Sequence, residues 1–431
     1  MDANEEFPMN PVFVHAADLH LGAPLRSLGK GLTEEAKPEL LKLVAKAFYN
    51  LVDKTIEYNA EFIGLAGDIY DGAENDARAQ LRFFRGLKRL IDAGIGVYIA
   101  HGNHDPLLDP SKRNEVAKLP DGVQRFEPGS VQTFIHELRG GGHVTVAGVS
   151  FAQRDESDNL ALKFGTIDKG STQAIIGVLH TNVGATAGQK NGVHANYAPC
   201  KESDLRDSPV DYWALGHVHK RSVNLMSENR YWAYPGNLQG RDAGEPGAKG
   251  ALVVEILANG VGEPRFFSCD EVRFETYILD CSTINDVPGI AAVLEESLTG
   301  SERPLPVVCQ LVLIGSTHAH TAITSTESQD ILELMQEMCG DLLNGGYIEK
   351  IQKGTSPPVD IAQLRNEDGL VGDLLKWTAN ADLDDIQELL SGESEEVLKL
   401  LQVSDQLKQL TAQIEIAFLN DMLNNNEEDS E

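Results

Sequence analysis

Apolar residues near the start of the chain follow two alternating rhythms. Short unbroken runs, Val12 to Ala16, Phe62 to Ala66 and Val97 to Ala100, alternate with longer stretches, Thr33 to Asn59 and Ala77 to Ala93, where apolar positions recur at helical spacing. An unbroken apolar run predicts a strand covered on both faces, and the longer stretches predict the amphipathic helices that cover it. Such alternation predicts a parallel sheet of the α/β class. Further apolar runs at Val144 to Val149, Ala174 to Leu179, Tyr212 to Leu215, Tyr231 to Tyr234 and Ala251 to Ile256 are separated by turn residues. They predict a second sheet packed on the first.

Near Arg273 this punctuation stops. Thr276 to Leu279, Val307 to Ile314 and Tyr347 to Ile351 read as strands, and Val287 to Leu298 and Asp330 to Leu343 as helices, which predicts a small βαβαβ unit. The expected division is residues 1–273, a smaller α/β domain of capping type at 274–353, and a linker with a helical tail at 354–431. Gly354-Thr355-Ser356-Pro357-Pro358 opens the linker, since paired prolines continue neither a helix nor a central strand. Helical patterns follow at Gly369 to Thr378, Leu383 to Leu390 and Ser394 to Asn420.

At 431 residues with 42% hydrophobic and 6% aromatic residues, the chain has the composition of a globular α/β protein of two or three units. No run approaches the ~18 apolar residues of a membrane span, and the acidic opening MDANEEFPMN lacks the basic and apolar stretches of a secretory signal. A cytoplasmic protein with no membrane partner is expected. Cys200, Cys269, Cys281, Cys309 and Cys339 are widely spaced and odd in number, so buried reduced thiols are expected rather than a disulfide framework or a zinc ribbon. The net charge of −30 repels polyanions at long range. Residues 367–431 carry −14 of it, whereas 154–250 hold 11 residues of each sign, so a polyanion is expected to approach that neutral middle segment.

Polar motifs stand where apolar strands end, the edge at which open α/β sheets bind ligands. They are Asp18-Leu19-His20, Gly67-Asp68-Ile69-Tyr70-Asp71, Gly102-Asn103-His104-Asp105, His180 and Gly216-His217-Val218-His219. Asp18 with His20, and His217 with His219, are two apart and point the same way while the chain stays extended, so each pair can reach one ion. Oxygen and nitrogen donors without thiolate suit Mn, Fe or Zn. Seven candidate ligands exceed one tetrahedral ion and suffice for two octahedral ions sharing a carboxylate.

In order and spacing these motifs resemble the calcineurin-like metallophosphoesterases, whose pattern runs D-x-H, G-D-x-x-D, G-N-H-D/E, a lone H and G-H-x-H. The wording FVHAADLHLG, LAGDIYD, HGNHD, HTN and LGHVHK, followed by Tyr234-Pro235-Gly236-Asn237, is most similar to the branch that contains SbcD-type DNA repair exonucleases. The resemblance spans roughly residues 12–270 and implies an αββα sandwich. It implies that Asp18, His20 and His219 hold one metal, Asn103, His180 and His217 a second, and that Asp68 bridges them. Two divalent ions, most often Mn, ~3.5–4 Å apart activate a shared water and clamp the phosphoryl group. His104, sharing a proton with Asp71 or Asp105, would protonate the leaving oxygen, and those two carboxylates would orient imidazoles. The resemblance further implies DNA as substrate, a coiled-coil SMC-like ATPase that grips the C-terminal helical segment, and a homodimer paired through helices such as Thr33 to Asn59.

Each feature has a plainer reading. An isolated GNHD is as often a turn, and a lone His180 is more often a satisfied strand histidine; the coincidence of all five motifs reverses both. His318 and His320 lack a nearby carboxylate, so no metal role is expected there, and His15 and His101 precede motifs on the opposite strand face, so both are expected to be structural or to support a ligand from behind. Arg154, Lys220, Arg221 and Arg241 surround the motifs as candidates for holding phosphate, with ordinary surface charge as the alternative for each. A phosphatase or phosphodiesterase for nucleotides, proteins or small substrates is the second functional reading. Phosphoprotein phosphatases continue the second motif as Asp-Arg-Gly, whereas this chain has Asp71-Gly72-Ala73. A non-catalytic scaffold is the third, and it would be marked by a missing ligand; none is missing.

Overall fold

The structure, a computed structural model, describes residues 10–23, 37–71, 77–108, 118–184, 197–299 and 305–358, with Arg365, Asn366 and Lys376 beyond them. The tail helices expected at 369–378, 383–390 and 394–420 lie outside the described residues, apart from Lys376. In chain order the elements begin with β1 (Val12–Ala16), α1 (Lys37–Glu57), β2 (Phe62–Ala66), α2 (Ala77–Asp92), β3 (Gly96–Ala100) and β4 (Val123–Arg125). There follow β5 (Gln132–Glu137), β6 (His143–Gly148), β7 (Ile175–His180), α3 (Glu202–Arg206) and β8 (Tyr212–Gly216). Next come β9 (Ser222–Ser227), β10 (Arg230–Tyr234), β11 (Gly250–Glu255) and β12 (Arg265–Ser268). The remainder is β13 (Arg273–Asp280), α4 (Gly289–Leu298), β14 (Val307–Ser316), α5 (His320–Ser325), α6 (Ser328–Cys339) and β15 (Tyr347–Ser356).

Two six-stranded sheets form the α/β sandwich, in the orders β12-β11-β1-β2-β3-β4 and β5-β6-β7-β8-β10-β9. The runs VFVHA and FIGLA of β1 and β2 are wholly buried, as a central parallel strand requires. β1 to β4 pair in parallel, while β11 and β12 join antiparallel, so the sheet is mixed rather than all-parallel. The second sheet is parallel at its centre and closes with antiparallel edges, β5 and β9, whose residues alternate between half-buried and exposed.

Between the sheets lies a layer built on Phe13, Phe62, Tyr98, Phe126 and Tyr212. Phe13 stacks on Phe62 at 4.9 Å and meets Tyr212 edge-on at 5.3 Å. Truncating Phe62 to alanine would cost ~3–5 kcal/mol at such a site. On the outer face of the first sheet, α2 presents Ala79, Phe83, Leu87 and Leu90, and Phe83 packs on Phe48 of α1. The second sheet's outer face is covered more sparsely, by the 3-10 turn Leu160–Thr166, whose Phe164 packs on Trp213, and by the five-residue α3.

β13, β14 and β15 form a separate three-stranded sheet, accompanied by α4, α5 and α6. By compactness the described chain divides into a first unit of residues up to 277 with 305–310 and 336–350, and a second of 278–299, 311–335 and residues from 351. The cysteines are all free and buried. Among the described residues no helix is long and apolar enough to cross a membrane.

Candidate metal centre

The polar motifs converge on one rim of the sandwich because their loops are stitched to one another. Asp18 N donates to Gly67 O at 3.1 Å and His20 N to Asp68 O at 3.0 Å, tying the first two loops together. His104 N donates to Asp68 Oδ1 at 2.9 Å, and His217 N to Asp18 Oδ1 and Oδ2 at 3.1 and 3.0 Å. Register aligns the last two strands, with His180 opposite Gly216.

Extended backbone is not what aims these side chains. Asp18, His20, Asp68 and His217 have φ of 52°, 46°, 52° and 103°, so each strand has already given way to a left-handed turn. Such conformations cost a non-glycine residue ~1–3 kcal/mol and persist where the surroundings over-determine them. The backbone hydrogen bonds just described do so here. At Gly216 the need is space: a Cβ there would stand 1.8 Å from Ala66 O.

Polar partners at Nδ1, hydrogen bonds for His180 and His219 and a carboxylate contact for His20, favour a hydrogen on that atom. His180 Nδ1 faces the Ala66 carbonyl at 2.9 Å, His219 Nδ1 faces Glu245 Oε1 at 2.7 Å, and His20 Nδ1 faces Asp71 Oδ1 at 3.3 Å. The Ala66 carbonyl and the carboxylates only accept, and although Arg241 Nη2 also stands 3.1 Å from His219 Nδ1, Glu245 is the nearer partner there; with the hydrogen on Nδ1, a neutral ring has a bare Nε2. Burial above all lowers the pKa of His20 and brings that of His219 down to about 4, so both are neutral. Their Nε2 atoms nevertheless face each other at 3.1 Å. His180 Nε2 similarly stands 3.0 Å from Asn103 Oδ1. Two lone pairs at that separation repel unless a cation lies between, and adjacent ligands on an ion with ~2.1 Å bonds are ~3.0 Å apart.

The carboxylates complete two donor sets. Ligand atoms of Asp18, His20 and His219 lie within 4.8 Å of one another, as do those of Asp18, Asp68 and His180. Asp68 Oδ2 is 3.5 Å from His180 Nε2 and 4.0 Å from His20 Nε2, so it reaches toward both. The His217 ring packs against that of His180, centroids 5.3 Å apart. These donors fit divalent metal; the expected assignment would put one ion at Asp18, His20 and His219 and another at Asn103, His180 and His217, with Asp68 between. The charges agree. Burial, and then the neighbouring Asp68, push the Asp18 carboxyl well up. Burial works the same way on Asp68, but His180, His20 and His104 together hold it down to about 2. Ionising Asp18 beside an already ionised Asp68 therefore calls for added positive charge, which divalent ions would supply.

Asp71 accepts from two imidazoles, His104 Nδ1 at 2.9 Å and His20 Nδ1, and those hydrogen bonds, in that order, hold its carboxyl far below the usual range. For His104 burial acts downward, but Asp71 and the charge of Asp68 outweigh it and leave the imidazole raised. Its side chain is 28% exposed, the most open in the cluster. Asp105 turns elsewhere: it accepts from His101 Nδ1 at 3.0 Å and from the backbone of Ile69 and Gly102, fixing the loop rather than His104.

The four cations separate clearly. Lys220 and Arg154 are exposed, though Arg154 acts electrostatically on His104, and Arg221 lies over the Phe266 ring at 3.8 Å. Arg241 alone is buried; Nη2 donates to Glu245 Oε1 at 3.1 Å, and Nη1 stands 4.0 Å from Asp71 Oδ1. His15 lies between the sheets, bonded to the Tyr212 hydroxyl and the Leu215 carbonyl, and His320 pairs with Thr355. Sequence reasoning missed Glu245, which holds His219, Arg241 and Asn237 at once. Its signal was slight, a glutamate four residues after Arg241 in a glycine-rich loop.

The rim of the sandwich thus gathers carboxylates and imidazoles that could hold divalent metal, the donor chemistry of metal-dependent phosphoester hydrolases. Residues 11–221, just under half of the chain, match the family model of the calcineurin-like phosphoesterases. Over 383 residues, 87% of this chain and 89% of the other, the protein is 28% identical to the uncharacterized metallophosphoesterase YhaO of Bacillus subtilis. It is 29% identical over 245 residues to the DNA double-strand break repair protein Mre11 of Aeropyrum pernix, 53% of each chain. The Methanococcus maripaludis protein of the same name is 24% identical over 52% of this chain and 56% of its own. The chain thus spans about half the length of these Mre11 relatives.

Proposed function

We propose that the protein is a Mn-dependent phosphodiesterase that cleaves the DNA backbone, working in DNA repair as the nuclease subunit beside a coiled-coil ATPase. The single observation that carries a phosphodiesterase is the pair of bare Nε2 atoms of His20 and His219 at 3.1 Å, backed by His180 and Asn103 at 3.0 Å. DNA as substrate is supported by the Mre11 relatives, which carry double-strand break repair in their names. The SbcD-type wording of the motifs supports the same reading. A cytoplasmic location, a homodimer paired through α1 and an ATPase held by residues beyond 354 belong to this proposal.

With both ions bound, the centre supplies an activated water and offsets phosphoryl charge. The chain's own part is positional. Asp71 holds His104 by Nδ1, leaving Nε2 as the atom that passes a proton to the leaving oxygen, and the raised pKa keeps that proton available near neutrality. Glu245 and the Ala66 carbonyl keep His219 and His180 facing the ions. A phosphatase or phosphodiesterase of small substrates stands as the second reading, because the relative matched over most of both chains carries no substrate in its name.

The test is release of nucleotides from linear duplex and single-stranded DNA with Mn, set beside an aryl phosphodiester and an aryl phosphomonoester. Mn-dependent release from DNA is expected. Turnover of the monoester with intact DNA would replace this proposal by the second reading.

A further inference from the structure

A chain of net charge −30 needs some basic surface if it is to hold a polyanion, and α2 carries the densest one. Five of the chain's 36 lysines and arginines, Arg78, Arg82, Arg85, Lys88 and Arg89, fall within this helix, against a single acid, Asp92. Their spacing is ordered. At 100° per residue Arg78, Arg82, Arg85 and Arg89 share an arc of ~60°, rising ~16 Å along the axis. The arc flanks the buried face of Ala79, Phe83, Leu87 and Leu90, so α2 stays seated on its sheet while the guanidinium groups point outward. Arg89 is shared with Asp53 of α1, and Lys88 with Asp92. Among the described residues Arg82 and Arg85 pair with no acid; Arg82 is half-buried and Arg85 exposed.

Position adds to charge. α2 is the helix that follows the loop of Asp68 and Asp71, and five residues separate Asp71 from its first residue, Ala77. Its first turn is therefore tethered within ~20 Å of the metal centre, and the stripe leads away from there. A rise of ~16 Å matches about five phosphates of one strand at 3.4 Å each.

We propose that the arginine stripe of α2 is a phosphate-backbone track that receives a nucleic-acid strand leading to or from the metal centre. This rests on the DNA reading above. The sequence alone directed a polyanion to residues 154–250; the helix supplies positive charge where that segment is only neutral.

The experiment compares wild type with the double variant Arg82→Gln/Arg85→Gln, using the full chain. Binding of a fluorescently labelled duplex oligonucleotide is followed against salt in chelator, so that no strand is cut, and Mn-dependent hydrolysis of an aryl phosphodiester is followed in parallel. Two lost phosphate contacts lower the slope of log affinity against log salt by ~1.8, so between 50 and 200 mM salt the variant should lose ~12-fold less affinity than wild type. Aryl ester turnover should be unchanged. An unaltered slope overturns the track, as does tighter DNA binding by the variant, which would mean that the stripe holds an acidic protein segment. If wild type binds no oligonucleotide while hydrolysing the aryl ester, the DNA reading itself fails, and the track with it.

Discussion

The closest approach at the site is between the backbone of one sheet and that of the other, and Gly216→Ala tests what it does. The added Cβ would stand 1.8 Å from Ala66 O and 2.9 Å from His180 Nδ1. Carbon and carbonyl oxygen tolerate no less than ~3.3 Å, so β8 and β2 must separate by ~1.5 Å at this point. That carbonyl fixes the His180 tautomer, and metal ligands allow only ~0.2 Å of error in distance. Stability should fall by ~1–3 kcal/mol, as for other overpacked sites. Mn affinity should fall further, ~10–100-fold, the usual cost of losing support behind a ligand. Gly165→Ala is the control, since its Cβ would meet nothing within 4 Å. Calorimetric titration of Mn into chelator-treated protein, with a thermal melt of each variant, reads both effects. If Gly216→Ala bound Mn as wild type does, the claim that close sheet contact sets the ligand geometry would be wrong.

Three further outcomes follow from the same structure. Glu245→Gln removes the charge behind His219 and Arg241 while keeping the shape, and should weaken Mn binding ~10–100-fold at the Asp18, His20 and His219 site, visible as a two-phase titration. His104→Ala should lower turnover ~10²–10⁴-fold with metal content intact, and should abolish the alkaline decline of the wild-type profile, which lies above the ordinary histidine range because His104 is raised. His15 is wholly buried and burial lowers its pKa to about 3, so the unfolded chain takes up a proton that the folded chain refuses. Its stabilising effect is complete above ~6.5 and shrinks as pH falls, by ~2 kcal/mol at pH 5. His15→Gln should show a smaller loss of melting temperature between pH 7 and 5 than wild type; equal losses would rule this out.

Much of the site was legible because its residues announce themselves at strand ends. Asp18, His20, Asp68, Asn103, His180, His217 and His219 all reach the rim. How they get there was not legible: extended alternation was the expected cause, whereas left-handed turns at Asp18, His20, Asp68 and His217 do the aiming. Backbone sign at a non-glycine residue leaves no mark in a sequence when distant loops impose it. Glu245 was invisible for a similar reason, since its value lies in partners as far away as His219 rather than in local spacing. Central strands were readable from unbroken apolar runs, but β5 and β9 were not, because QTFIHE and SVNLMS bury one side only and are interrupted by polar residues. The cover of the second sheet escaped too, because a five-residue helix has no measurable period.

The central claim is a pair of cations held by this rim. A crystal soaked in Mn and measured at the metal's absorption edge should show two anomalous peaks ~3.5–4 Å apart, one against His20 Nε2 and His219 Nε2, the other against His180 Nε2 and Asn103 Oδ1. A single peak, or a rim without one while the side chains keep these positions, would contradict it.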